Sequence, residues 1–218
     1  AAISQFAVGN NLFLENQVVV PVGNIGKFHA ASVPMLSLEN RSFCFLLVAR
    51  LLWDKGVGEY VEAARMVRRK YPAIRFQLLG FLDVKNQTAV SSAQMEDWLK
   101  EGVVEYLGVA DDVKPHLVAA DCVVLPSYRE GVPRSLLEAA AIGRPIVTTD
   151  AIGCRDAVDD GVNGLRCRVR DAIDLAEKMQ SIVEMPPSER ELMGNVSKKK
   201  MELEFDEKIV IDRYLRVT

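Results

Sequence analysis

From residue 43 onward, short runs of purely apolar residues take turns with segments of helical periodicity. Residues 43–49 (FCFLLVA) read as a buried strand. Val57, Tyr60, Val61, Ala64 and Val67 then recur at the spacing of one helix face, and Pro72 stops that helix. Further strands are predicted over 74–79, 103–107, 121–125, 145–148 and 163–169. Helices are predicted over 91–101, after Asp111-Asp112, over 135–142 and over 172–183. Asp111-Asp112 offers capping carboxylates, and Pro115 fits a first turn. Pro186-Pro187 ends the 172–183 helix, a more polar helix starts at Ser188-Glu189, and a last one is predicted over 205–215. Strands that are apolar throughout, rather than at every second residue, are buried on both faces. Alternated with helices they form right-handed βαβ units. The predicted fold is α/β: a Rossmann-like, three-layer parallel sheet with helices on both faces. The first forty residues break the pattern, with one strand over 16–21, a loop over 23–26 and a linker over 32–40.

Composition narrows the function. The chain has 218 residues, a net charge of −3 and 49% hydrophobic residues. That excludes a disordered chain and supplies the core of one large domain, or of one domain plus an appendage. The slightly acidic balance argues against a dedicated nucleic-acid binder. No run reaches the ~20 apolar residues of a membrane helix. Cys44, Cys122, Cys154 and Cys167 lie far apart with no C-x-x-C pair, and Cys44 and Cys122 sit inside apolar runs. They read as small buried hydrophobes rather than a disulfide framework or a zinc site. Lys198-Lys199-Lys200 reads as a solvated helix face, with contact to an anionic membrane as the other reading.

In an open α/β sheet, ligands bind beyond the carboxyl ends of the strands. Arg50 follows the first strand, with Asp54-Lys55-Gly56 ahead of its helix. Gly80 closes the second strand, and Gly108-Val109 follow the third. The fourth runs into residues 126–135 (PSYREGVPRS), and the fifth into Thr148-Thr149-Asp150 with Gly153 beyond. Free N–H groups in the first turn after 126–135 suit a phosphate or a sugar hydroxyl. Glu130 and Glu138 can accept hydrogen bonds from paired sugar hydroxyls, while Arg50 and Lys55 offer charge to a diphosphate. Singly these residues are ordinary surface charges; their placement on adjacent strand ends carries the reading. No G-x-G-x-x-G follows a strand, which disfavours a dinucleotide dehydrogenase.

The run 130–139 (EGVPRSLLEA), followed by Gly143-Arg144-Pro145-Ile146-Val147, resembles the E-x7-E signature of retaining group 1 (family 4) glycosyltransferases of GT-B fold. Ala49-Arg50-Leu51 with Lys55-Gly56 resembles their diphosphate site. Tyr106-Leu107-Gly108, Asp111-Asp112-Val113 and Ala119-Ala120-Asp121 resemble the stretch ahead of the signature, and Asp160-Gly161-Val162-Asn163-Gly164 the stretch after it. The similarity runs in order over about residues 43–215.

The resemblance implies that Arg50 and Lys55 bind the donor diphosphate and stabilise the leaving group. It implies that Glu130 holds hydroxyls of the donor sugar, that the backbone of Gly131, Val132, Pro133 and Arg134 lines sugar and phosphate, and that Ser135 belongs to the donor-binding set. Glu138 would bind the ribose with Leu136 near it, residues around Val109 would contact the base, and Gly80 joins the donor-binding set. No Asp-x-Asp motif occurs, in keeping with a metal-free site whose co-substrate is an NDP-sugar, taken as a UDP-sugar. The acceptor, a glycan or lipid-linked glycan, would be held by an N-terminal domain. Residues 1–40 are then an interdomain linker and remnant of that half, with 18–28 resembling its strand and loop. Residues 41–218 are the donor-binding domain with C-terminal helices, and Ala1 falls within a longer chain. His29 and His116 read as structural or surface residues. The isolated piece is expected to transfer no sugar, and the enzyme to work in the cytoplasm, with a peripheral contact at the inner face of the membrane as the second reading. The alternative is a non-catalytic nucleotide-sugar-binding module of the same fold. A sugar-nucleotide epimerase is disfavoured by the intact E-x7-E run.

Overall fold

The computed structural model describes residues 41–205. Within it, six parallel strands form one sheet in the order β3-β2-β1-β4-β5-β6. They are β1 (Cys44–Val48), β2 (Arg75–Leu79), β3 (Glu105–Tyr106), β4 (Cys122–Leu125), β5 (Ile146–Thr149) and β6 (Leu165–Cys167). The helices are α1 (Val57–Lys70), α2 (Ser92–Glu101), α3 (Lys114–Ala119), α4 (Arg134–Ala141), α5 (Cys154–Ala157), α6 (Ala172–Glu184) and α7 (Pro187–Glu204). A 3-10 turn, Trp53–Lys55, precedes α1. The α/β expectation and its parallel sheet therefore hold.

The continuous apolar runs are explained by burial on both faces. Phe45 and Leu47 of β1, Cys122 and Val124 of β4 and Phe76 and Leu78 of β2 meet α1, α2 and α6. Leu46, Val123, Leu125, Leu79 and Ile146 point the other way, onto α3, α4, α5 and the far part of α7. Successive side chains on a strand alternate faces, so a sheet covered twice has no polar register. The helix starts follow local chemistry. Ser91 accepts a hydrogen bond from the Gln94 amide at 3.2 Å, and Asp171 accepts from Ile173 and Asp174 at 3.1 and 2.9 Å. Asp112 accepts from the Lys114 amide at 3.0 Å, while Pro115 sits in the first turn of α3.

Several elements differ from the sequence reading. The strand predicted over 163–169 shrinks to Leu165–Cys167 because Asn163 is a fully buried turn residue. Its Oδ1 accepts from the Asp159 amide at 2.6 Å, and its Nδ2 donates to Ala157 O at 3.0 Å. Helix α5 has four residues, too few to show a period. Lys200 of the basic run turns inward to Asp159 at 2.7 Å and is largely covered, so the run is not one solvated face. The expectations on residues 1–40, including His29, and on a helix reaching 215 lie outside the described residues. Among those residues, no helix is long and apolar enough to cross a membrane. All four cysteines are free and buried, and burial pushes the Cys44 and Cys167 thiols up to about 12.

Buried charge closes the amino edge of the sheet. The carboxylate of Asp121, just before β4, accepts from Arg41 Nη1 and from the Cys44 amide, each at 2.8 Å. The fully buried Arg144, quoted above with the signature, donates to Leu117 O and Val118 O at 3.3 and 2.8 Å and so satisfies the end of α3. Its role is structural. Asp121→Ala would take a buried acceptor from Arg41 and from the Cys44 amide. It is expected to lower the unfolding free energy by about 3 kcal/mol in urea titrations, and a change near zero would contradict this account.

Candidate functional site

The chain leaves β1 toward α1, on one face of the sheet, and leaves β4 toward α4, on the other. Yet β1 and β4 are direct neighbours, paired through Phe45–Cys122 and Leu46–Val123. Their carboxyl-end connections must part, and a crevice opens between them. A cavity of about 400 Å³ lies there. Its wall takes Val48, Ala49 and Arg50 from the end of β1, Lys55 from the 3-10 turn, and Leu125 from β4. Glu130, Pro133, Arg134, Ser135 and Glu138 come from the β4–α4 loop and α4, and Asp111 and Val113 from the β3–α3 connection. That volume falls in the range of small-molecule and cofactor sites.

The structure thus brings Arg50, Lys55, Glu130, Pro133, Arg134, Ser135 and Glu138 to one crevice. It does not bring the whole predicted set. Gly80 closes β2, one strand away; its N–H donates to Gly108 O at 2.8 Å, and its carbonyl accepts from Tyr106 OH at 2.9 Å. Val109 is half exposed beyond β3, Gly131 and Val132 are off the wall, and Leu136 is wholly buried in the core between α4 and the sheet. Asp111 and Val113 reach the wall instead, further along the connection that carries Val109. The sequence reading used Asp111 as a helix cap and both residues as part of the resemblance, and their place on a strand-end connection was the signal available. His116 lies on α3, away from the wall.

Opposite charges pair on the crevice wall. Lys55 Nζ lies 2.6 Å from Glu130 Oε1, with each side chain 15% exposed. Arg134 Nε donates to Glu138 Oε1 at 2.7 Å, one helical turn along α4. Burial pushes the Glu138 carboxyl above the usual carboxylate range, and the Arg134 guanidinium opposes that rise. Among the described residues, the Arg50 guanidinium makes no hydrogen bond or ion pair and stands exposed at the mouth.

The loop carrying Glu130 is fixed from three sides. The Tyr128 amide donates to Asp54 O at 2.9 Å, and Ser127 Oγ donates to the same oxygen at 3.2 Å, tying the loop to the turn that bears Lys55. Tyr128 OH donates to Glu59 of α1 at 2.6 Å, while the Arg170 guanidinium lies 4.5 Å from the ring centroid. The Glu130 amide donates to Ile152 O at 3.0 Å. Gly153, next in line, has φ +82°, and a Cβ there would fall 2.1 Å from Gly131 O and 2.4 Å from Glu130 O. The β5–α5 connection therefore touches the Glu130 loop backbone to backbone.

A crevice of paired charges at the reversal point of a doubly wound parallel sheet stands where open α/β folds bind their ligands. A family model described as glycosyl transferases group 1 matches residues 42–185, and the chain belongs to that family. It is 38% identical over 174 residues to an N,N'-diacetylbacillosaminyl-diphospho-undecaprenol alpha-1,3-N-acetylgalactosaminyltransferase of Campylobacter jejuni, covering 79% of this chain and 43% of that one. It is 26% identical over 194 residues to the amylovoran biosynthesis glycosyltransferase AmsK of Erwinia amylovora, covering 76% and 47%. Among solved structures, Anabaena Alr3699/HepE in complex with UDP superposes with a TM-score of 0.71 at 22% identity, over 81% of this chain and 48% of that one. Sucrose-phosphate synthase from Thermosynechococcus elongatus gives 0.70 at 24%, over 83% and 46%. The fold is that of a GT-B glycosyltransferase domain. The chain spans less than half the length of these relatives.

Gly153→Ala is expected to lower stability by about 2 kcal/mol or more, through both the left-handed backbone and the backbone clash. Gly161→Ala, at φ +74° with nothing within 4 Å, is expected to lose only about 1 kcal/mol. Equal losses in denaturant titrations would refute the steric tie between the two loops.

Proposed function

We propose that this chain is the nucleotide-sugar donor-binding domain of a retaining glycosyltransferase. The enzyme passes a hexosyl group from an NDP-sugar, in the first instance a UDP-sugar, to a glycan or lipid-linked acceptor held by a second domain. One observation carries the reading. Two cations, Arg50 and Lys55, and two carboxylates, Glu130 and Glu138, converge on one crevice between β1 and β4. The cations suit a diphosphate, and the carboxylates suit sugar and ribose hydroxyls. Support for UDP comes from the Anabaena HepE complexes with UDP and with UDP-glucose, and support for a lipid-linked acceptor from the Campylobacter relative. A cytoplasmic enzyme meeting such an acceptor at the inner face of the membrane fits that chemistry.

The cations act on the leaving group. As the bond from the sugar C1 to the diphosphate oxygen breaks, negative charge gathers on the diphosphate. Arg50 and Lys55 stand ready to receive it without rearranging solvent, which is where electrostatic catalysis gains most. No protein nucleophile is assigned, and no metal is invoked. Lys55 holds Glu130 before donor arrives. A bound diphosphate offers Lys55 a better-charged partner and frees Glu130 for the sugar hydroxyls, so the two halves of the donor reinforce each other.

Calorimetric titration of the chain with UDP and GDP tests the reading. Binding of at least one is expected, and absence of both with the fold intact would sink it. Glu130→Ala is expected to weaken UDP-sugar binding about tenfold while changing bare UDP much less; Glu138→Ala is expected to weaken both. Equal losses for the two ligands with Glu130→Ala would take Glu130 away from the sugar.

A further inference from the structure

The resemblance gave Arg134 only a backbone role, but its side chain makes one specific contact at the crevice. Nε of Arg134 donates to Oε1 of Glu138 at 2.7 Å. The two residues stand four apart on α4, and both line the cavity. Their exposures differ sharply: 68% for the Arg134 side chain and 6% for that of Glu138. Among the described residues, Oε2 of Glu138 makes no hydrogen bond. A buried carboxylate with one oxygen pinned and the other free presents a single, oriented acceptor.

We propose that Arg134 is a positioning residue for the ribose of the donor nucleotide. It fixes Oε1 of Glu138 and leaves Oε2 to accept from the ribose hydroxyls. The proposal rests on the assignment of Glu138 to the ribose under Proposed function. Burial favours the protonated carboxyl, which would present a donor where the ribose needs an acceptor, and the guanidinium counters that tendency. Arg134 thereby sets how strongly the site tells ribose from a sugar lacking hydroxyls, without touching the ribose itself.

The test titrates the whole chain with UDP and with its 2′,3′-dideoxy analogue. A charge-assisted hydrogen bond lost on the analogue lowers affinity about tenfold or more. Arg134→Ala is expected to bring that ratio most of the way to one, chiefly by weakening UDP while the analogue binds nearly as before. Arg134→Lys, which retains the charge, is expected to restore part of the ratio. Because Arg134→Ala takes the partner from a buried carboxylate, its thermal unfolding is expected a little below the parent and that of Arg134→Lys nearer to it, so affinities are compared below the onset of unfolding. Equal weakening of both ligands by Arg134→Ala would make Arg134 a general cation for the phosphates and overturn the proposal, as would an unchanged ratio. Glu138→Ala separates the two layers. If it abolishes the discrimination while Arg134→Ala leaves it intact, only the role of Arg134 fails. If the parent protein shows no discrimination, or Glu138→Ala preserves it, the ribose assignment fails and this proposal with it.

Discussion

The pairing of β1 with β4 holds two chain connections together at one end and forces them apart at the other. Both strands are buried on both faces, so their hydrogen bonds run through a dry layer and their register is fixed by which side chain meets which helix. Once the chain exits to opposite faces, the space beyond Val48 and Leu125 cannot be filled by either connection. The crevice is thus a topological by-product of the sheet. It owes its shape to the apolar core and its chemistry to the residues that happen to border it.

Those borders hold nearly balanced charge. Lys55 with Glu130 and Arg134 with Glu138 neutralise each other at hydrogen-bond distance, while Arg50 stands at the mouth. Like-charged groups crowded into a partly buried wall would destabilise the empty domain. Pairing lets the domain keep a charged crevice at little penalty. The preorganisation lies in the loops: Asp54 O, Glu59 and Arg170 hold the Glu130 segment before any ligand arrives.

Much of this was legible in the sequence, for physical reasons that also explain the rest. The strands and the long helices have periods that survive in a one-dimensional string. Arg50, Lys55, Glu130 and Glu138 follow from the rule that strand ends face the ligand. Leu136 does not reach the wall because a helix placing residues 134, 135 and 138 toward the crevice must turn 136 and 137 into the core. Asn163 reads as part of a strand, but its amide serves a buried turn, and only three-dimensional closure reveals that. The Tyr128–Arg170 contact joins loops forty-two positions apart and leaves no local trace. The two ion pairs were likewise hidden, since composition counts charges without saying which ones neighbour each other.

The backbone contact of Gly153 with the carbonyls of Glu130 and Gly131 bears on how such domains diversify. The connections after β4 and β5 touch where neither has a side chain to spare. Exchanging one of them between two relatives imports a surface shaped for a neighbour left behind. Recombination of this fold should therefore respect a seam that encloses residues 126–157 as one inherited block, and retune the crevice by changing side chains inside it.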